Sequence, residues 1–175
     1  MLLDILKYPD PFLKTRAEKV ASIDDAVKAL VNDMVETMYH AKGIGLAATQ
    51  VGVAKRVAIL DVPSDEERKE RGKHLLPLIN PEIILSEGTV VYEEGCLSIP
   101  GFTADVTRAS KIVVRTLDLE GRAREITAEG LFAIAVQHEI DHLDGILFID
   151  RLSRLKREMM KRKIRKSIEA EDKAL

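Results

Sequence analysis

The chain has 175 residues, 46% of them apolar and 32% charged, with one Cys, four His and no Trp; this suits one domain, excludes an internal disulfide and argues against a Trp-lined sugar or nucleobase platform. No apolar run approaches the roughly 18 residues that a membrane span needs, and residues 1–9 are too short and too charged a stretch for a signal peptide, so a reducing cytoplasm, where a thiolate survives, is expected. The net charge of −2 is uneven, because residues 151–166 hold nine Lys/Arg against one acid while the remainder holds 18 basic and 28 acidic residues, and such a basic segment points to an anionic partner.

In chain order, residues 24–42 carry Val27, Leu30, Val31, Met34, Val35 and Met38 at the spacing of an amphipathic helix. Ser22 with Asp25 resembles a capping box ahead of it, and Gly43 a stop. Gly43-Ile44-Gly45-Leu46-Ala47-Ala48-Thr49-Gln50 follows, uncharged and punctuated by glycine. It does not read as a phosphate loop, since it follows a helix rather than a strand and no Gly-Lys-Ser/Thr comes after it. It reads either as a plain connector or as a site wall. In a wall, glycine lets a substrate backbone come close, and Gln50 supplies a neutral amide donor suited to an oxyanion hole.

Residues 56–62 read as a strand and residues 63–73 as a charged loop. β signals then accumulate from 75 to 126, at Ile79, Ile83-Ile84, Val90-Val91 and residues 111–118, with Glu120-Gly121 turning the last of these onto residues 123–126. Thr127 is expected to cap a second helix with Glu129 in its first turn, running to about Leu143 and ended by Gly145. A third helix is expected from Ser153 to about Glu169, with Leu152, Leu155, Met159, Ile164 and Ile168 as its apolar stripe. This order indicates a small α+β domain with an N-terminal and a C-terminal helix. Residues 1–152 are expected to form the catalytic part, and residues 153–175 a basic C-terminal helix and tail of the same domain.

Within the second helix, Gln137-His138-Glu139-Ile140-Asp141-His142 contains H-E-x-x-H. Positions i and i+4 lie one above the other on a helix, so both imidazoles reach one ion. Glu139 sits beside them, placed to take a proton from water on that ion. Leu131, Ile134 and Ala135 precede them on the same stripe, which turns the ligands toward the core. The plain alternative is a pair of unrelated histidines.

Two His leave the ligand set one short. The position where a metzincin carries its third His is Phe148 here, and Glu158, Glu169 and Glu171 lie in the basic helix or near the chain end. Cys96, within Glu93-Glu94-Gly95-Cys96-Leu97-Ser98, sits at a strand end and makes a sound tetrahedral set once water fills the fourth place. A buried structural Cys and a covalent nucleophile paired with a His stand as its alternatives. Affinity order favours Zn2+ at such a site. His40, at a helix end, and His74, in the charged loop, are expected to be solvated or local caps.

Together the three segments, which fit G-x-G-L-A-A-x-Q, E-G-C-L-S and Q-H-E-x-D-H in that order, resemble the peptide deformylase family over about residues 1–165, an early Tyr8-Pro9 included. The resemblance implies antiparallel β-sheets around a central metal-binding helix. It also implies removal of the N-formyl group from the initiator formyl-methionine of nascent polypeptides, with Fe2+ as the usual ion and Zn2+, Ni2+ or Co2+ as alternatives. It assigns Cys96, His138 and His142 to the metal, Glu139 to general acid/base catalysis, Gln50 and the Leu97 backbone N–H to the oxyanion, and Gly45 to the substrate backbone. An apolar pocket for the Met side chain is expected near Ile44, Leu131, Ile134 and Ala135. The basic C-terminal helix is either a solvated helix packed on the domain or a contact for RNA backbone, which for an enzyme of nascent chains means the ribosome. No membrane or DNA partner is expected. The rival readings are a zinc metallopeptidase, which needs neither Gln50 nor Cys96, a ribosome- or RNA-binding module without activity, and a Cys hydrolase using Cys96 and His138.

Overall fold

The structure, a computed structural model, describes residues 1–63 and 74–174, so nearly all of the charged loop expected at 63–73 lies outside the described residues. The first helix, α1 (Asp25–His40), forms where its periodicity predicts, with Val27, Val31, Met34 and Met38 buried on one face. Its cap is Asp24 rather than the Ser22–Asp25 pair, and the Asp24 carboxylate accepts from the Val27 N–H at 3.0 Å. That acceptor satisfies an orphan amide and places negative charge at the positive end of the helix. The helix stops at His40, and Lys42 turns the chain at φ 60°.

Five strands form an antiparallel sheet in the order β1-β2-β3-β6-β7: β1 (Gly45–Ala47), β2 (Val57–Asp61), β3 (Leu75–Glu87), β6 (Lys111–Leu117) and β7 (Ala123–Glu129). β4 (Val90–Cys96) and β5 (Ile99–Arg108) pair as a second, two-stranded sheet. β5 falls within the β-rich stretch expected from 75 to 126, but none of the runs singled out there marks it. Pro100 and Gly101 at its start read as punctuation, although Phe102, Ala104 and Val106 alternate inward against exposed Thr103, Asp105 and Thr107.

The expected Thr127 cap is not formed. Thr127 lies inside β7, paired with Val113, where a β-branched residue fits the pleat. Gly130, at φ 60°, lets the strand pass directly into α2 (Gly130–Leu143), whose N-cap Glu129 makes no side-chain capping bond. One face of α2 packs on the five-stranded sheet through Ala133, Val136, Ile140 and Leu143 against Ala47, Ala58, Leu60 and Val114. Its other side meets β4 and β5 through polar side chains. A helix buried on nearly all faces belongs at the centre of a domain, and α2 is held between the two sheets.

The last helix, α3 (Arg154–Ala174), runs beyond the expected end. Its packing stripe is the buried Ile164 with the half-buried Met160 and Ile168, which pack with Leu152 against Leu13, Leu147 and Phe148. Leu155 and Met159, expected in that stripe, are 72% and 51% exposed. Met159 is out of phase with Ile164, whereas Met160 keeps the i, i+4 step. No helix among the described residues is long and apolar enough to cross a membrane.

Candidate metal centre

Two elements bring the expected ligands together. His138 and His142 lie one turn apart on α2, and Cys96 ends β4, in the hairpin that faces this helix. His142 Nε2 lies 3.1 Å from His138 Nε2 and 3.3 Å from Cys96 Sγ. The three ligand atoms all fall within 4.8 Å of one another, the one such group among the described residues. Glu158, Glu169, Glu171, His40 and His74 take no part in it.

The chemistry of this group fits a borderline-soft divalent ion. Burial alone would push the Cys96 thiol up, but the His142 and His138 imidazoles beside it hold it well below the usual thiol range, as the thiolate. Burial would likewise lower His138, yet Cys96 and Glu94 draw its pKa well above the ordinary imidazole value. Two anions thus call for positive charge at this point. The His138 Nδ1–H donates to Glu94 Oε1 at 2.9 Å, which orients the ring and turns Nε2 toward Cys96 and His142 as the ligand atom.

Glu94 belongs to a buried ionic chain that sequence reading did not anticipate. The Arg108 guanidinium donates to both Glu94 oxygens, at 2.7 and 2.8 Å, and to Asp141 Oδ2 at 2.6 Å. Asp141 also accepts from Arg151, at 2.6 and 3.0 Å. Burial pushes the Glu94 carboxyl up, but bonds from Arg108 and His138 outweigh it and hold the pKa at about 2. Part of this was legible. Glu94 precedes Cys96 by two residues and so shares its side of the strand, and Asp141 lies within the H-E-x-x-H turn. Arg108 and Arg151 carried no local signal.

Glu139 points into the same space and is 4% exposed. Burial raises its pKa, and its Oε2 is buried without a hydrogen-bond partner among the described residues. Gly45 gives it room: a Cβ there would stand 2.7 Å from Glu139 Oε1 and 3.0 Å from Leu60 Cδ2. Gln50 is 2% exposed. Its Oε1 accepts from the Ala47 N–H at 3.0 Å, which turns Nε2 toward Ser98 Oγ at 3.1 Å and Cys96 Sγ at 3.6 Å. The amide donor therefore faces the ligand side. A cleft of about 650 Å3 opens over these groups, with Ile44, Gly45, Leu97, Leu131, Ile134 and Ala135 among its lining and Lys7, Lys42 and Glu93 along its walls. Every site residue expected from the sequence lines this cleft except His142, which lies beneath it beside Cys96.

The profile described as polypeptide deformylase matches residues 2–158. The peptide deformylase of Alkalilimnicola ehrlichii is 56% identical over 167 residues, covering 95% of this chain and 91% of that protein. The peptide deformylase crystal structure from Legionella pneumophila superposes with a TM-score of 0.87 at 44% identity, covering 98% of each chain. That of Ehrlichia chaffeensis in complex with actinonin gives 0.86 at 40% identity, covering 95% of this chain and 97% of that one.

Proposed function

The chain belongs to the peptide deformylase family, and from that premise we propose how its cleft removes the N-formyl group from nascent polypeptides. One observation carries the reading. A thiolate and two imidazole Nε2 atoms converge beside a buried carboxylate oxygen, Glu139 Oε2, that has no hydrogen-bond partner among the described residues. Cys96, His138 and His142 hold a divalent transition ion, which when bound acidifies a water molecule toward neutrality and withdraws charge from the formyl carbonyl.

The chain's own residues do the rest. Glu139, its pKa raised by burial, takes the proton of the attacking water and returns it to the leaving amine. Water and the formyl amide thereby become formate and a free N-terminus. Gln50 Nε2 and the Leu97 backbone N–H donate to the oxygen on which negative charge develops; one such donor is typically worth ~2.7–4 kcal/mol. Gly45 lies on β1, an edge strand of its sheet, so an extended peptide can add to that edge through backbone bonds. Ile44, Leu131, Ile134 and Ala135 take the Met side chain.

The ion is Fe2+, on the strength of the family resemblance. The same S,N,N set also suits Zn2+, Ni2+ and Co2+, and affinity alone favours Zn2+ over Fe2+, so availability decides. The enzyme works in the cytoplasm. There the exposed face of α3, with Arg154, Lys156, Arg162, Lys163, Arg165 and Lys166, contacts ribosomal RNA phosphates. Reversing Lys156, Arg162 and Lys163 tests this better than truncation, since truncation strips Ile164 from the core. Co-sedimentation with ribosomes that is unchanged by the reversal refutes the contact.

The test of the whole reading is formate release from formyl-Met-Ala-Ser by protein purified without oxygen, with and without a chelator, and with actinonin as competitor. Chelator-sensitive, actinonin-inhibited release supports it. Folded, metal-loaded protein that releases no formate overturns it.

A further inference from the structure

Residues 6–8 carry no catalytic or ligand motif, only the Tyr8 of the early Tyr8-Pro9 pair, and in the structure they form no assigned strand. In an extended segment, however, the N–H groups of residues i and i+2 point to the same side. Here both are used, each on a different element. The Leu6 N–H donates to the Gln50 carbonyl at 2.7 Å, and the Tyr8 N–H donates to the Ser98 carbonyl at 2.8 Å. Between them, the Lys7 ammonium donates to the Leu97 carbonyl at 2.9 Å.

Those three carbonyls belong to the two pieces of chain that carry the proposed oxyanion donors. Gln50 lies in the short 3-10 helix Ala48–Val51 beside the five-stranded sheet, and Leu97-Ser98 is the turn between β4 and β5 in the other sheet. The two pieces meet at the contact of Gln50 Nε2 with Ser98 Oγ, at 3.1 Å. A slip of either would swing the Gln50 amide away from Cys96 or shift the Leu97-Ser98 turn, and with it the Leu97 N–H that enters that turn. Leu6 and Tyr8 are themselves packed against the Leu13–Phe148 cluster, so the bridging segment is anchored. Lys7 is exposed and gains little from packing; what holds it at the cleft wall is a charge-assisted bond to a carbonyl.

We infer that residues 6–8 are a positioning clamp for the oxyanion donors, with Lys7 as the positioning residue whose side chain closes it. The inference rests on the deformylase reading. Oxyanion donors stabilise charge only when they are fixed beforehand, and this segment fixes both.

Lys7→Met, Lys7→Arg and the wild type are compared on formyl-Met-Ala-Ser, each loaded with metal. Lys7→Met is expected to lower kcat on the order of tenfold with KM unchanged, and to leave metal content and melting temperature as in the wild type. Lys7→Arg restores most of the rate. In a Gln50→Ala background, Lys7→Met keeps only the part of its effect that passes through the Leu97 N–H, so the two losses are less than additive. Amide hydrogen exchange on the zinc-loaded wild type is expected to show slow Leu6 and Tyr8 N–H groups.

An unchanged kcat in Lys7→Met overturns the inference. So does a raised KM with kcat intact, which makes Lys7 a direct substrate contact, and so does a fall in metal content or melting temperature that accounts for the lost rate. Fast exchange at Leu6 and Tyr8 in protein that still releases formate refutes the clamp while sparing the deformylase reading. A wild type that releases no formate fells that reading itself, and the role of the clamp with it.

Discussion

Replacing Glu94 separates two jobs that one carboxylate performs. Glu94 Oε1 accepts from His138 Nδ1 at 2.9 Å and from an Arg108 terminal nitrogen at 2.8 Å, while Oε2 accepts from Arg108 Nε at 2.7 Å. In Glu94→Ala all three bonds go. Breaking a buried ion pair from one side costs about 3–5 kcal/mol. The lower figure applies here, since Arg108 keeps its 2.6 Å bond to Asp141. At roughly 2–4 °C per kcal/mol for a chain of this size, the melting temperature should fall by about 6–12 °C. His138 also loses the acceptor that fixes its tautomer, and loss of such a partner typically weakens metal binding ~10–100-fold.

Glu94→Gln is the discriminating variant. With its carbonyl oxygen in the Oε1 position it still accepts from His138 and from one Arg108 nitrogen, while its NH2 faces the Arg108 Nε–H and loses that bond. It should lose stability, by about 1–3 kcal/mol, yet retain the metal nearly as the wild type does. The assay is competition for Zn2+ with a chromophoric chelator, alongside thermal unfolding of the metal-free forms. Glu94→Ala protein that competes as well as wild type refutes the reasoning. His138 would then be held by packing, including its stacking with Phe148 at 6.3 Å, and Glu94 would serve Arg108 alone.

Four further outcomes follow from the same geometry. Gly45→Ala puts a methyl group 2.7 Å from Glu139 Oε1 and should cut kcat by about 10–100-fold with metal content unchanged, as steady-state kinetics and metal analysis would show. Glu139→Gln should lower kcat by ~10²–10⁴ while still binding metal; near-normal turnover would remove Glu139 from the proton path. Ala135→Trp should fill the cleft and abolish measurable binding of formyl-Met peptides, and an unchanged kcat/KM would count against the Met pocket. Glu94 is held at about 2 from the usual 4.5, so its contribution to stability is complete above about pH 4.5 and is lost as pH falls toward 2. Acid titration of unfolding should therefore be shallower over that window in Glu94→Gln than in wild type.

The parts of the site that the sequence revealed are those whose partners lie close along the chain. His138 and His142 are fixed by one helical turn, and Leu131, Ile134 and Ala135 by the same stripe. Gln50 is placed by the turn that carries it, its Oε1 bound to Ala47 three residues away. The sequence could not place Cys96 beside the two imidazoles, because they sit 42 and 46 residues onward and only the closing of β4 against α2 brings them together. Arg108 lay beyond reach for the same reason. It touches Glu94 across the β4–β5 hairpin, and β5 itself was hidden by Pro100 and Gly101. Thr127 shows the converse error. A residue type that suits a cap also suits a strand, and the β6 partner Val113, absent from local sequence, decided between them. On α3 a shift of one residue, Met160 for Met159, separated the true packing face from the expected one.

The buried carboxylates around α2 divide by partner, and that division assigns the chemistry. Glu94 is bound to Arg108 and His138 and is driven down to about 2, so it stays an anion and orients. Asp141 is bound to Arg108 on one side and Arg151 on the other, so it too is committed, tying the metal helix to β5 and to the segment that leads into α3. Glu139 has a buried oxygen with no hydrogen-bond partner among the described residues and a pKa that burial raises. Neighbouring carboxylates with pKa values pushed apart take different roles. On the proposed mechanism the proton that moves in turnover is therefore assigned to Glu139, and glycine at position 45 leaves that carboxylate the space a Cβ would take, 2.7 Å from its Oε1.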